Sequence, residues 1–373
     1  MKKNFFKVVA LSCATVMLAF VGCSKEDGGH IEAPNQGVKA ALKISLENPV
    51  QIQSRAIESE DGSSIGDVTV LITNIDNRII NKYWYESASE LSEASENGNI
   101  ETTTLAKRVY IVGNISSSSS TVDGAGVFAS TGTLQAAQAV LYDLSSISAS
   151  SLPIFGTVGS DLAFANVSGE MVASTSVNMK LIPARIDVYV NNNMTDYDQP
   201  DAVELDGVGA FFTASQTFLI PNAGSFIPSG VATSSLLSAW EDNSSDVWVP
   251  SPGVSSQPAG FLSHFSHTFY VFPSSEKDLI VAVKSTFKEG NETFAGEARY
   301  YPVHFNTADV GNVSLENGKR YILSINLNGD ANDGTGGGGT DNPDIPVTNS
   351  ELTISLTPAS WEVVNVTDPK EFD

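Results

Sequence analysis

Leu42-Lys43-Ile44-Ser45-Leu46 and Leu352-Thr353-Ile354-Ser355-Leu356 lie near opposite ends of the chain and share the pattern Leu-x-Ile-Ser-Leu. Side chains alternate between the two faces of a strand, so this period of two sets Leu, Ile and Leu on one face and marks a strand buried on one side. A proline follows each segment, and then more apolar residues: Val50 and Ile52 in the first, Trp361 and Val363 in the second. Two strands with one facial pattern fit one groove. If a molecule lost its N-terminal strand, the C-terminal strand of another could replace it by strand addition. Alternatively, each strand pairs within its own domain, and spacing alone leaves both readings open.

The stretch between them reads as short strands separated by Gly, Pro and Asn. Strands are expected at about 67–73, 79–85, 107–114, 177–190, 202–220, 265–273, 278–287, 293–305 and 319–328. Lys107–Asn114 is apolar through its middle, as a central strand would be. One helix is expected at about 133–145, where Leu134, Ala137, Leu141 and Leu144 share a face. The pattern predicts an all-β protein of two β-sandwich domains with one short helix. The domains are placed at 56–190 and 191–328, divided at the polar run that starts at Asn191. Residues 329–344, rich in Gly and Asp, read as a flexible linker. The remaining residues, 345–373, are too few for a domain and form a tail strand.

The first residues read as an address. Lys2, Lys3 and Lys7 precede an apolar run from Val8 to Val21, shorter than the roughly 20 residues a membrane-spanning helix needs. This is the layout of a signal peptide over 1–22. Small residues before Cys23 resemble a bacterial lipobox, although Phe20 stands where Leu is usual. Cleavage before Cys23 would expose it for acylation (palmitate among the chains), and two or more acyl chains anchor stably. Ser24-Lys25-Glu26-Asp27 resembles the acidic signal that sends such lipoproteins to the outer cell surface.

The net charge is −23, with 20 Lys and Arg against 43 Asp and Glu. Phosphate contacts need cations, so no nucleic-acid partner is expected. The two cysteines, Cys13 and Cys23, lie in the leader, so packing or association must stabilise the body. Arg55 sits between the first strand and an acidic, Gly- and Ser-rich loop, a natural site for a trypsin-like protease. Cutting between Arg55 and Ala56 would release both the strand and the anchor, making 23–55 a propeptide.

Nothing points to an enzyme, a cofactor or a metal. No nucleophile elbow or phosphate-binding loop is present. His264-x-x-His267 has ligand spacing only on a helix, and Phe265 and Phe269 favour a strand. Glu58–Asp61 and Asp330–Asp333 lack calcium-loop spacing and read as solvated loops. Trp84, Trp240 and Trp248 could line a glycan site, but packing is the commoner role of such aromatics.

Taken in order along the chain, the lipoprotein signal, the strand ending at Arg55-Ala56, Val109–Asn114, Leu152–Ile154, Leu181–Val188, Tyr300–Pro302 and Asn317–Ile322 resemble the fimbrillin family. These are the FimA-like major fimbrial subunits, the type V pilins of Bacteroidota. The resemblance implies two transthyretin-like β-sandwiches, lipidation at Cys23 in the outer membrane, and Arg-specific cleavage at Arg55/Ala56. It also implies polymerisation by strand exchange into a surface fimbrium that supports adhesion. The displaced strand would carry Leu42, Ile44, Leu46, Val50 and Ile52, and the donor strand Leu352, Ile354, Leu356, Trp361 and Val363. Implied partners are other copies of the chain, an arginine-specific protease, other fimbrial subunits, host or bacterial surface receptors and, before processing, the membrane. The alternatives are a monomeric surface lipoprotein that binds glycan or protein, or a fimbrial tip or anchor subunit. The long C-terminal tail argues against a tip.

Overall fold

The computed structural model describes residues 37–47, 65–115, 126–148, 151–192, 203–211, 214–228, 249–250, 264–273, 279–287, 298–305, 314–327, 339–340 and 352–360. The chain divides into Met1–Gln36 and Gly37–Asp373, and every described residue belongs to the second unit.

The first half contains β1 (Lys39–Glu47), β2 (Val68–Asn74), β3 (Ile79–Tyr85), α1 (Ala88–Glu96), β4 (Glu101–Thr103), β5 (Ala106–Gly113), α2 (Leu134–Gln138), β6 (Leu141–Asp143), β7 (Ile154–Thr157), β8 (Ala165–Val167) and β9 (Glu170–Leu181). Seven of its strands form one sheet in the order β3-β2-β5-β7-β9-β1-β4, with β8 also on β9. Its two ends are linked by side chains: Tyr83 Oη donates to the Glu101 carbonyl, and Thr102 Oγ1 donates to Asn81 Oδ1 at 2.9 Å. Inside lies a core of Leu42, Ile44, Val70, Ile72, Ile111 and Met179, with Leu91 of α1. The opposite parity of β2 and β5 (Leu71, Tyr110, Val112) is also buried, in a second apolar layer with Phe128 and Phe155. The apolar middle of 107–114 is thus a strand covered on both faces, between β2 and β7.

The second half contains β10 (Ala184–Asn192), β11 (Val203–Phe211), β12 (Gln216–Phe218), β13 (Val249–Pro250), β14 (His264–Val271), β15 (Ile280–Phe287), β16 (Ala298–His304), β17 (Lys319–Leu327) and β18 (Leu352–Ser360). Two four-stranded sheets, β14-β10-β17-β18 and β13-β11-β15-β16, share one core. Ile186, Val188, Leu323 and Ile325 from the first sheet meet Val281, Val283, Tyr301 and Val303 from the second. That is a β-sandwich.

Several details differ from the sequence reading. The expected division near 190 falls inside β10, which pairs only with β14 and β17. The change of sheet comes at Ile182-Pro183, between β9 and β10. The turn before β17 docks there: Gly318 N–H donates to the Pro183 carbonyl at 3.0 Å and Asn317 Nδ2 to the Ile182 carbonyl. Gly318 has φ +71°, and a Cβ would sit 3.1 Å from the Leu181 carbonyl oxygen, so glycine is required there.

The helix expected over 133–145 ends at Gln138. Thr133 caps it through Oγ1 to Ala136 N–H, and Leu134 and Ala137 are its buried residues. Leu141 and Leu144 lie beyond it, because 141–143 pairs with β12 in the second half. Among the described residues there are two α-helices rather than one. The missed helix, α1, carries a readable start: Ser87 Oγ accepts from Glu90 N–H, and Glu90 Oε2 reaches back to Glu86 N–H. Of the linker expected over 329–344, residues 339–340 are described, and Thr340 exchanges two backbone bonds of 2.9 Å with Tyr300 of β16.

Asn114 follows β5 in the left-handed region, φ 59°, and is buried. Its Oδ1 accepts from Gly66 N–H at 2.7 Å and its Nδ2 donates to the Leu152 carbonyl at 3.0 Å. Asn114→Ala is expected to lower stability by about 1–3 kcal/mol, since the buried Leu152 carbonyl loses its partner and the exposed Gly66 N–H turns to water. Asn114→Gly relieves the backbone but not the bonds, so in urea melts it should recover only part of the loss.

Tyr85 is buried in the first core, and burial, followed by Tyr83 and Glu90, pushes its phenol from 10.0 up to about 12. The folded state therefore holds the proton more tightly than the unfolded chain. This contribution is complete below pH 10 and is lost as pH rises towards 12, reaching up to about 2–3 kcal/mol. Thermal melts from pH 8 to 12 should show a steeper alkaline loss for the parent than for Tyr85→Phe.

Candidate functional site

β1 is inserted into its sheet, not appended to it. It runs parallel to β9 from Ala40↔Met171 to Glu47↔Asn178. On its other flank β4 pairs only with Lys39, Ala40 and Ala41. Past that point β1 is held by single bonds. Leu42 N–H donates to the Ile100 carbonyl at 2.9 Å. Ile44 N–H donates to Ser95 Oγ at 2.7 Å, and Ser95 Oγ donates to the Ile44 carbonyl at 2.9 Å. Ser45 Oγ and Ser176 Oγ lie 2.8 Å apart. At the exposed start of β1, Lys39 Nζ meets Glu101 Oε1 at 2.7 Å.

The alternation read from the sequence sets the depth of β1. Leu42 and Ile44 are buried in the core and Leu46 is half-buried against it. Lys43, Ser45 and Glu47 take the outer parity. An open cavity of about 720 Å³ lies along the C-terminal half of β1, walled by α1 and β9 and lined by hydroxyls including Ser45, Ser92, Ser95, Ser174 and Ser176.

The tail strand β18 is seated in its own chain. It lies antiparallel to β17 from Leu327↔Leu352 to Lys319↔Ser360 and is the last strand of that sheet. Pro358 opposes Tyr321. Proline has no N–H to give a ladder, and an edge is where a sheet tolerates it. The two matching segments therefore occupy different seats: β1 lies between two strands, and β18 lies on one.

The structure does not bring the two segments together. Leu42, Ile44 and Leu46 belong to the first core, while Leu352, Ile354 and Leu356 lie on β18. Cys23, Val50, Ile52, Arg55, Ala56, Trp361 and Val363 lie outside the described residues, as do Trp240, Trp248 and both acidic loops. Sequence reasoning missed Ser95, a helical serine whose only signal was the Ser87-x-x-Glu90 cap that begins its helix. Trp84 is half-buried, and its indole N–H is buried without a partner. His264 and His267 lie on β14, a strand and not a helix, and burial lowers the His267 pKa. Among the described residues, no group of three or more His, Cys, Asp or Glu could hold a metal. Nor, among them, is any helix long and apolar enough to cross a membrane.

No curated protein matches the chain. Solved structures share its fold. One is a candidate cell adhesion protein from Bacteroides eggerthii DSM 20697, 22% identical with TM-score 0.61, covering 88% of this chain and 98% of that one. Another, from Parabacteroides distasonis ATCC 8503, carries the same description, with 17% identity, TM-score 0.54 and the same coverage of both chains. Residues 230–361 match the model for the C-terminal domain of FimA-like major fimbrial subunit proteins. The resemblance read from the sequence is thereby supported over residues 230–361, which match that family's C-terminal domain, and the two solved structures share the fold of the chain.

Proposed function

We propose that the chain is a structural subunit of a surface fimbrium. It is exported as a lipoprotein through Cys23, cleaved between Arg55 and Ala56, and polymerised by strand exchange to support adhesion. The observation that carries this reading is the seat of β1. A core-forming strand, flanked on both sides, lies only eight residues upstream of Arg55. Its loss would open the first core and strip β9 of a partner.

The energetic case rests on the difference between two seats. A tail strand is already ordered on β17, so the cost of fixing it appears in both states and largely cancels. Filling the vacated slot would cover again the core that the loss of β1 exposes, at roughly 25 cal/mol per Å² of apolar surface. Bonds on the second flank add roughly 0.5–1.5 kcal/mol apiece. The 24 residues between Leu327 and Leu352 far exceed a hairpin turn and could extend to about 80 Å. A neighbour is within reach. Once seated, the strand must leave as a unit, so fibre lifetime becomes a kinetic property.

The cis seat of β18 favours the second reading, a monomeric surface lipoprotein that binds glycan or protein. Digestion of the full chain by an arginine-specific protease separates the two. Strand exchange gives SDS-resistant ladders of protein starting at Ala56, and deletion of 345–373 abolishes them. Monomers that persist at high concentration after complete cleavage would sink it. The protease, receptors and companion subunits belong to this reading.

A further inference from the structure

We propose that the tail of a second copy enters the slot in a single parallel register, Leu352 at the seat of Leu42 and Ile354 at the seat of Ile44, and that Ser95 is the residue that positions it. The inference rests on the strand-exchange reading and adds the register and the group that sets it.

Ser95 is nearly fully buried, and its hydroxyl bonds both the N–H and the carbonyl of one residue of β1, at 2.7 and 2.9 Å. It does for Ile44 what an adjacent strand would do, just where β4 has ended. Buried main-chain groups need partners, so any strand in this seat must turn an N–H and a carbonyl towards Ser95. Main-chain bonds ignore side-chain identity, so the serine can hold an incoming strand as readily as β1. A shift of one residue turns the apolar face outward. Only even shifts remain.

The tail sequence decides among these. Unshifted, Leu352, Ile354 and Leu356 take the seats of Leu42, Ile44 and Leu46. Ser355 then takes the place of Ser45 beside Ser176. Pro358 falls one residue past the position of Glu47, where the ladder to β9 has ended. Moved two residues one way, the tail brings Pro358 to the seat of Leu46, inside the ladder. Moved two the other way, it puts Ser350 in the fully buried seat of Leu42. Only the unshifted register fills all three seats with large apolar side chains and keeps proline out of the ladder. The shared serine, Ser45 and Ser355, is then part of the match.

The test uses disulfide capture between two full-length preparations, one carrying Ser176→Cys and the other Thr353→Cys, Ser355→Cys or Thr357→Cys, mixed and cleaved after Arg55. Cleavage removes Cys13 and Cys23, so the only thiols are those introduced. Ser355→Cys should cross-link roughly tenfold more than either neighbour, the ratio that one large buried apolar side chain supports. Adding Ser95→Ala to the acceptor should spread capture across the three positions. A helix-stabilising role alone would lower all three yields together and leave their ratio intact. Ladders with capture strongest at Thr353→Cys or Thr357→Cys, or with none, overturn the register but leave strand exchange standing. An unchanged ratio in Ser95→Ala overturns the role of Ser95. No ladder and no capture overturns both readings.

Discussion

Asp187→Ala is expected to destabilise the chain by about 3–5 kcal/mol, the cost of breaking a buried ion pair from one side. Asp187 is fully buried on β10, on the parity opposite Ile186 and Val188. Arg185 Nε lies 2.7 Å from its Oδ1, and Arg320 Nε from β17 lies 2.6 Å from its Oδ2. Thr268 of β14 donates to Oδ1 at 2.7 Å. One carboxylate thus ties three strands, and its removal takes from the buried Arg185 cation its counter-charge among the described residues. Arg320 is partly exposed and can turn to water, so the loss should be dominated by Arg185. Urea unfolding of Asp187→Ala and of the triple variant Arg185→Met, Asp187→Leu, Arg320→Met checks the argument. Desolvation offsets much of the attraction in such triads, so the apolar triple variant should unfold near or above the parent midpoint. A triple variant as weak as Asp187→Ala would mean that the charges themselves hold the sheet.

Leu42→Ala should have an effect that depends on processing. In the uncleaved chain it removes a fully buried side chain from the first core, at about 2–5 kcal/mol. If β1 leaves on cleavage at Arg55 and strand exchange, as proposed, the substitution should leave polymer stability unchanged. Leu352→Ala should behave in the reverse sense, weakening the polymer more than the precursor. Thermal melts of precursor and polymer for both variants provide the comparison. Equal losses for Leu42→Ala before and after cleavage would show that β1 stays in place.

Much of this architecture was legible from side-chain alternation. The period-two pattern of 42–46 fixes which face of β1 is buried, and the apolar run of 107–114 identifies a strand covered on both sides. What was hidden has physical reasons. Leu141 and Leu144 continue the helical spacing of Leu134, yet backbone pairing with 216–218 claims that segment, and no local pattern reports so distant a partner. β9 and β10 read as one long strand because both sides of Ile182-Pro183 are apolar; the break depends on the turn at Asn317-Gly318, 135 residues on from Ile182. The function of Ser95 was invisible because a serine on a short helix carries no mark of the strand it will bind. The tail pattern showed a strand but could not tell a seat in its own sheet from a seat in a neighbour's.

The second apolar layer does more than bury surface. Leu71, Tyr110, Val112 and Phe155 from the first half pack there with Ala214, Leu219, Ile220 and Phe272 from the second. Gln216 Nε2 donates to Asp143 Oδ1 at 2.7 Å and Gln138 Nε2 to the Pro221 carbonyl at 2.8 Å across the same junction. In the proposed filament the slot would lie in one half and the donated tail would come from the other, so tension would cross this junction in every link. Because it is greased and riveted rather than hinged, give in such a filament would reside between molecules and not within them.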